Sequence, residues 1–371
     1  MKKCLFLLSL FLSIQTAWSY DVEVDDIYFN LNKADKTATV TNNNETIGMW
    51  HAYSGDMVVP ECILVSGVLY TVTTLGEGCF ALSNNLTSVS LPNTITTLET
   101  ACFEKCPALT SITLPQSVLN IGDRCFHGCI GLTTISIPDR VTSLGDYCFF
   151  NCTGLTSITL PKSLLSLGAY CLSGCTALAS ISLPSSVTTL GDLCFAGDSS
   201  LTSVIIPESV TSLGVQCFTH CLNLAYVSLP QSITSLGAGC FNSCYSLTSI
   251  TIPSSVTSLG DYCFSACFNL SSITMLPATP PTIGEMSLFD TALKTVYVVS
   301  EDVKALYQST SPWNEYEIVV MSTGIEEAQH EKDAPRVTDC YHLSGKKLDG
   351  KHSGTVIMRY ADGSTRKVIV K

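Results

Sequence analysis

The chain has 371 residues, 31 Asp and Glu against 19 Lys and Arg, and a formal net charge of −12. An acidic chain without a basic stripe excludes nucleic acid as the expected partner and argues against electrostatic docking to anionic lipid. Only 13% of residues are charged, against roughly 25% in an average domain, yet no apolar run after residue 20 approaches the roughly 20 residues of a spanning helix; any membrane association is expected to be peripheral.

Residues 1–19 read as a signal peptide. Lys2 and Lys3 form the positive start, Leu5 to Ile14 the apolar region, and Ala17-Trp18-Ser19 a small-residue cleavage site. Cys4 precedes the apolar region, so it is no lipoprotein cysteine. The mature protein is expected to start near Tyr20 and to be secreted or displayed on the outer cell surface.

Residues 20–71 read as an N-terminal β cap. DVEVDDIYFNLN and KTATVTN alternate like strands around the turn NKADK, and MVVP and GVLYTV come next. Asp21, Glu23, Asp25 and Asp26 lack the loop spacing and the Gly of a calcium motif, which leaves an exposed acidic strand. Residues 72–85, VTTLGEGCFALSNN, form half a coil joining this cap to the repeats that begin at Leu86.

From Leu86 to Asn269 a 23-residue phrase recurs eight times without a gap. Self-similarity at such a period marks a solenoid. In the copy Leu109–Gly131, Leu109, Ile112 and Leu114 alternate with small polar residues, which predicts a short strand ended by Pro115. Val118 and Ile121 predict a second extended segment. Gly122 occupies a column that is Gly in seven of eight coils, Glu99 being the exception; such a column suggests either a positive φ or a close backbone approach. Asp123, Asp146, Asp192 and Asp261 read as N-caps on a brief helical turn that turns Cys125, Phe126 and Cys129 inward. One coil cannot bury its own apolar face, but stacked coils can. The Phe column runs from Phe80 to Phe264 with Leu172 as its one departure. The whole array spans 72–276.

Residues 277–321 read as a C-terminal cap, with TVYVV and EIVVM as strands and SEDVKALYQ as a helix N-capped by Ser300. Residues 322–335 are a polar linker. Residues 336–371 form a small C-terminal β-module whose last stretch, Lys346 to Lys371, carries 7 bases and 2 acids.

Cysteine is abundant, 19 in all, and seven coils hold it at spacing four, as in Cys125/Cys129. A metal array needs four converging ligands, and each coil offers two. A disulfide ladder fits an exported protein, but stacked positions point their Cβ atoms in parallel, which suits the disulfide torsion poorly. Buried free thiols acting as small hydrophobes fit best, since Asp198 and Ser83 replace the second Cys in two places. Cys62 and Cys340 lie outside the columns. His127 and His220 fall in the variable loop after CF and are expected to face solvent. No nucleophile elbow, phosphate loop or cofactor motif occurs, so no catalytic, cofactor or metal residues are assigned and the chain is read as a non-enzyme.

The outward strand columns are Ser or Thr almost throughout, broken by Ile205 and Tyr226 in adjacent coils. An exposed aromatic beside an exposed aliphatic is the kind of anchor interfaces favour, so these two are the candidate ligand-binding residues.

The pattern LTSITLPxSVTSLGxxCFxxC resembles the BspA-like leucine-rich repeat, whose usual form has Ala where this chain has the first Cys. The resemblance covers all eight coils and their flanks. It implies a repeat solenoid of leucine-rich-repeat-like parallel β coils with short helical turns, β-rich caps and a small C-terminal β-module. It further implies a secreted or surface adhesin that binds proteins or glycans of host or neighbouring cells. The C-terminal module resembles one that in some secreted bacterial proteins addresses the type IX export machinery. A structural surface protein without a specific ligand, or a carbohydrate-binding accessory, is the alternative; the latter would want several aromatics on one face, and the strand columns supply only Tyr226.

Overall fold

The computed structural model describes residues 20–42 and 53–321 together with the backbone of three strands within 337–370; the expected signal peptide and linker lie outside the described residues. The chain divides into two compact units between Val319 and Val320.

In the first unit, β1 (Val22–Val24) and β2 (Ile27–Asn32) form a hairpin closed by Asp25 and Asp26, both left-handed at φ 48° and 61°. A two-residue turn with both φ positive matches the strand twist, and Asp tolerates it. The acidic cluster therefore serves the hairpin: Asp21 Oδ2 accepts from the Leu31 N–H at 2.7 Å. Among the described residues no group of three His, Cys, Asp or Glu could hold a metal ion. Strand β3 (Thr37–Thr41) runs antiparallel to β2. Strands β4 (Ser54–Val58) and β5 (Cys62–Val65) precede β6 (Val68–Leu75), which lies parallel to β3 and antiparallel to β5. Strand β6 is then parallel to Thr97–Leu98, and that pair to Asn120–Ile121, so this sheet passes into the stack without a break.

The stack is a β-solenoid of about 11 turns. Each coil has three backbone walls. The strand wall carries parallel pairs such as Thr134–Ser136 with Ser157–Thr159. A second wall pairs Ser143–Leu144 with Ser166–Leu167 and so on. The third, around Cys-Phe, departs from expectation: it holds no helix. Its residues form successive turns with left-handed φ at Arg124 and Gly128 and their equivalents. Every second N–H bonds to the next coil instead of along its own: Arg124 to the Asp146 carbonyl, Phe126 to Cys148, Gly128 to Phe150, each at 2.8 Å. Inter-coil pairing wins because a single isolated helical turn leaves most of its backbone groups unsatisfied.

The Asp column is corrected with it. Asp123 Oδ1 accepts from the Asp146 N–H at 2.8 Å, Asp146 Oδ1 from Ala169, and Asp192 Oδ1 from Val215, both at 2.7 Å. These carboxylates tie coil to coil rather than cap helices. The Gly column answers to close approach: a Cβ on Gly122 would lie 2.8 Å from the Glu99 carbonyl carbon and the Thr100 nitrogen.

Phe80, Phe103, Phe126 and Phe149 are wholly buried and stack with centroids 5.2–5.3 Å apart and planes within 6°. The stack resumes from Phe195 to Phe264 at 5.1–5.6 Å. Each ring contributes about 1.5–3 kcal/mol by burial. Sixteen column cysteines are free and buried. Those of the second column donate S–H to the Phe carbonyl 26 residues back, Cys129 to Phe103 and Cys152 to Phe126 at 3.0 Å. Cys62, outside the columns, is disulfide-bonded.

Beyond the coils, helix α1 (Glu301–Ser309) starts at Ser300, whose Oγ accepts from the Val303 N–H at 3.3 Å. It buries Tyr307, and Trp313 lies beyond it, its Nε1 donating to the Pro281 carbonyl at 3.2 Å. The second unit is an antiparallel sheet of Val337–His342, Gly354–Tyr360 and Thr365–Val370.

Candidate functional site

Period-2 alternation puts two side-chain columns of the strand wall outside. In-register pairing starts them at Asp56 and Val58, opposite Ser88 and Ser90, and carries them through Thr295 and Tyr297, whose strand pairs in turn with the one that begins at Glu317. Asp56 Oδ1 accepts from Thr87 Oγ1 and Ser88 Oγ, both at 2.7 Å, and these bonds hold its carboxyl below the usual range. Ile205 is 66% exposed and Tyr226 53% exposed. Tyr226 lies opposite Ser203, and Ile205 opposite Ser228. The two are thus diagonal neighbours, about 8 Å apart from one strand spacing and two residues of rise.

Beside them the strand wall loosens. Ser180–Leu183 makes only a single bridge, Ser180 with Ser203. Ile137 and Ile206 donate their N–H to the next coil at 2.9 and 3.0 Å, whereas the equivalent Leu114, Leu160, Leu183 and Leu229 make no such bond among the described residues. Ile158, Leu160, Ile181 and Leu183 are half-buried, although Ile135, Ile137, Val204 and Ile206 in the same columns are buried. A groove of about 450 Å³ opens between Ser180–Ser185 and Ser203–Ser209, with Ile205 and Glu208 on it. One of about 440 Å³ lies on the other side of the segment, bordered by Lys162. Pairing also lapses near Ser111, but there Ile112 and Leu114 stay buried.

The turn wall carries a cluster that the sequence reading missed. Tyr147 and Tyr170 stack at 4.6 Å, Phe150 meets both edge-on at 5.5 and 5.9 Å, and the Arg124 guanidinium lies 5.4 Å from the Tyr147 centroid. Arg124, Tyr147 and Tyr170 share one column, 23 residues apart, and all are left-handed. That spacing was the available signal, but a variable loop position was not read as a column. His127 does not face solvent as expected. It is half-buried, its ring 5.3 Å from Phe150 and its Nδ1 3.0 Å from Glu104 Oε1, in ion-pair reach but off the line of a hydrogen bond. Burial lowers its pKa against the pull of Glu104. His220 is exposed, 3.0 Å from Thr219 Oγ1.

Burial pushes the thiols of Cys106 and Cys152 up to about 12, which removes the thiolate needed for nucleophilic or redox chemistry. The strand wall presents an extended hydroxyl face, with a partly apolar stretch opened at Ser180–Leu183.

A solenoid of short parallel strands with Leu, Phe and Pro columns is a leucine-rich-repeat architecture. The profile of the BspA type leucine-rich repeat region matches residues 73–202 and 189–310 in six copies. The chain belongs to that family. Among solved structures it is similar to a leucine-rich cell surface protein from Faecalibacterium prausnitzii A2-165, at 24% identity over 80% of this chain and 98% of that one, TM-score 0.42. A leucine-rich repeat protein from Bacteroides ovatus ATCC 8483 matches at 22% identity over 81% and 100%, TM-score 0.38. The pneumococcal vaccine antigen PcpA matches at 17% over 81% and 98%, TM-score 0.44. No curated protein matches the chain. No helix among the described residues is long and apolar enough to cross a membrane.

Proposed function

We propose that this is an exported, non-enzymatic surface protein that binds macromolecules of host or neighbouring cells through the strand wall of its solenoid. The observation that carries the reading is a break within the coils, where the outward columns from Ser88 to Thr274 are Ser or Thr apart from Ile205 and Tyr226. Pairing lapses and apolar columns open at Ser180–Leu183, and Ile205 and Tyr226 project beside them. Residues 1–19 would direct export, and residues 336–371 would serve sorting or attachment. Family membership supports the surface location. The test has two arms. Protease shaving of intact cells should release the protein. In solid-phase binding to extracellular-matrix proteins and glycans, Tyr226→Ala with Ile205→Ser should weaken retention of the secreted chain at unchanged melting temperature. Retention equal to wild type on every surface would remove the strand wall as the binding face.

A second reading, a structural coat without a specific ligand, is favoured by one feature: no Lys or Arg occurs between Lys162 and Lys294, so trypsin-like proteases find no site there. Absence of binding to any surface would select it.

A further inference from the structure

The larger groove differs from the smaller in charge. Lys162 borders the smaller one, whereas Glu208 stands on the larger and no further Lys or Arg occurs until Lys294. A sulfate, phosphate or carboxylate would find no counter-charge in the larger groove and would meet Glu208 instead.

Its hydrogen-bonding groups are neutral and two-way. Ser180, Ser182 and Ser203 bring hydroxyls, each of which donates and accepts. The Leu183 N–H, which makes no ladder bond, lies in the loosened stretch. Ile205 and the diagonal Tyr226 add an apolar pad, half or more exposed.

An extended peptide would seek to complete the broken ladder by adding a strand, but the other walls forbid it. Leu193 donates to the Val215 carbonyl at 2.8 Å, Phe195 to Cys217 at 2.9 Å and Gly214 to Leu190 at 3.1 Å. Those bonds hold coils five and six one strand spacing apart, about 4.8 Å, and an inserted strand would need twice that. Single hydroxyls approaching from the face need no such room.

We propose that the groove between Ser180–Ser185 and Ser203–Ser209, with Ile205 and Tyr226 as its apolar pad, binds a neutral glycan. The inference rests on the strand wall being the binding face and names its ligand class. Sugar hydroxyls meet the serines and the free N–H, and the C–H face of a ring lies on Tyr226.

The test is affinity electrophoresis of the full secreted chain in gels containing laminarin, mannan or dextran, with heparin and gelatin peptides as comparators. At least one neutral polysaccharide should retard the protein. Tyr226→Ala should weaken that interaction about tenfold, the scale of one lost aromatic contact, and Ile205→Ser should weaken it less. Tyr147→Ala, on the turn wall, should leave it unchanged. Retardation by heparin or gelatin peptides alone, sensitive to Tyr226→Ala, would overturn the glycan and keep the strand wall. Retardation by a neutral polysaccharide that neither strand-wall variant alters would overturn the site. No retardation in any neutral polysaccharide would overturn the glycan.

Discussion

The turn wall and the strand wall are made by the same coils and differ in how much is left open. On the turn wall, every second N–H is bonded to the next coil, the Phe rings stack in buried register, and the thiols close remaining carbonyls. On the strand wall, pairing is interrupted near Ser111, at Ser180–Leu183 and between Tyr226–Ser228 and Ser249–Ile252, and small hydroxyls face outward. Stability is thereby concentrated on one wall, and the other can vary at low cost. Substitution on each side measures that asymmetry. Phe126→Ala should lose about 3–5 kcal/mol, the usual cost of emptying an aromatic site, and the melting curve of the purified chain will read it. A loss under 1 kcal/mol would mean the ring stack is not the main support.

The next effect comes from the place where the turn wall is itself irregular. Asp198 is wholly buried. Its Oδ1 accepts from the Cys175 N–H at 2.8 Å and its Oδ2 has no partner. Cys175 and Cys221, at equivalent positions, donate S–H to the carbonyls of Phe149 and Phe195; the matching acceptor for residue 198 is the Leu172 carbonyl. A neutral carboxylic acid can make that bond and a carboxylate cannot. Burial pushes the Asp198 pKa well above its ordinary value; the groups facing it are the thiols of Cys175, Cys194 and Cys221, also neutral. The native state therefore keeps a proton that the unfolded chain releases near pH 4. The stabilisation is complete below that pH and falls as pH rises toward the folded pKa, by up to about 1.4 kcal/mol per pH unit. Asp198→Cys should flatten that slope and raise stability at pH 7 by about 1–3 kcal/mol. Urea midpoints at pH 4 to 8 that run parallel in both proteins would exclude the protonated acid.

How much of this could be read from the chain depends on whether the period carried it. The solenoid, its 23-residue coils and the buried Phe and Cys columns come from apolar residues recurring in register, and Phe103, Phe126 and Phe149 do lie one above another. The turn wall was misread because Asp-x-Cys-Phe looks like a capped helix in one copy. Only the stacked neighbour reveals that the Asp123 carboxylate has an N–H waiting at Asp146. Ile205 and Tyr226 stood out as departures from a column, but the grooves beside them did not. Ser180–Leu183 has the same residue types as its neighbours, and its lost pairing is a property of the stack. Leu172 and Asp198, in coils four and five, are substitutions visible in the sequence.

A smaller effect separates packing from hydrogen bonding in the second cysteine column. Cys152→Ala removes the donor to the Phe126 carbonyl and a little volume, and should cost about 1–2 kcal/mol. Cys152→Ser keeps a donor there, as Ser83 keeps a buried hydroxyl in the same column, and should cost less. Equal losses in denaturant titrations would mean that the thiols act by volume alone. Native alkylation at pH 8 should also leave the sixteen column thiols unlabelled until the chain unfolds.

The smallest effect belongs to the strand wall and is the one that makes the comparison useful. Tyr226 is half exposed, and its neighbours Ser203 and Ser249 are small, so Tyr226→Ala empties no cavity and strands no buried polar group. Ser182→Ala removes a hydroxyl that faces water. Surface changes of this kind fall within about 0.5 kcal/mol, and differential scanning of both variants should show melting temperatures close to wild type. A cost near that of Cys152→Ala would mean that these side chains support the coils. Their departure from the repeat would then need no ligand to explain it. Near-neutral stability would show that the exposed ring does nothing for folding, which is the outcome the proposed binding role requires.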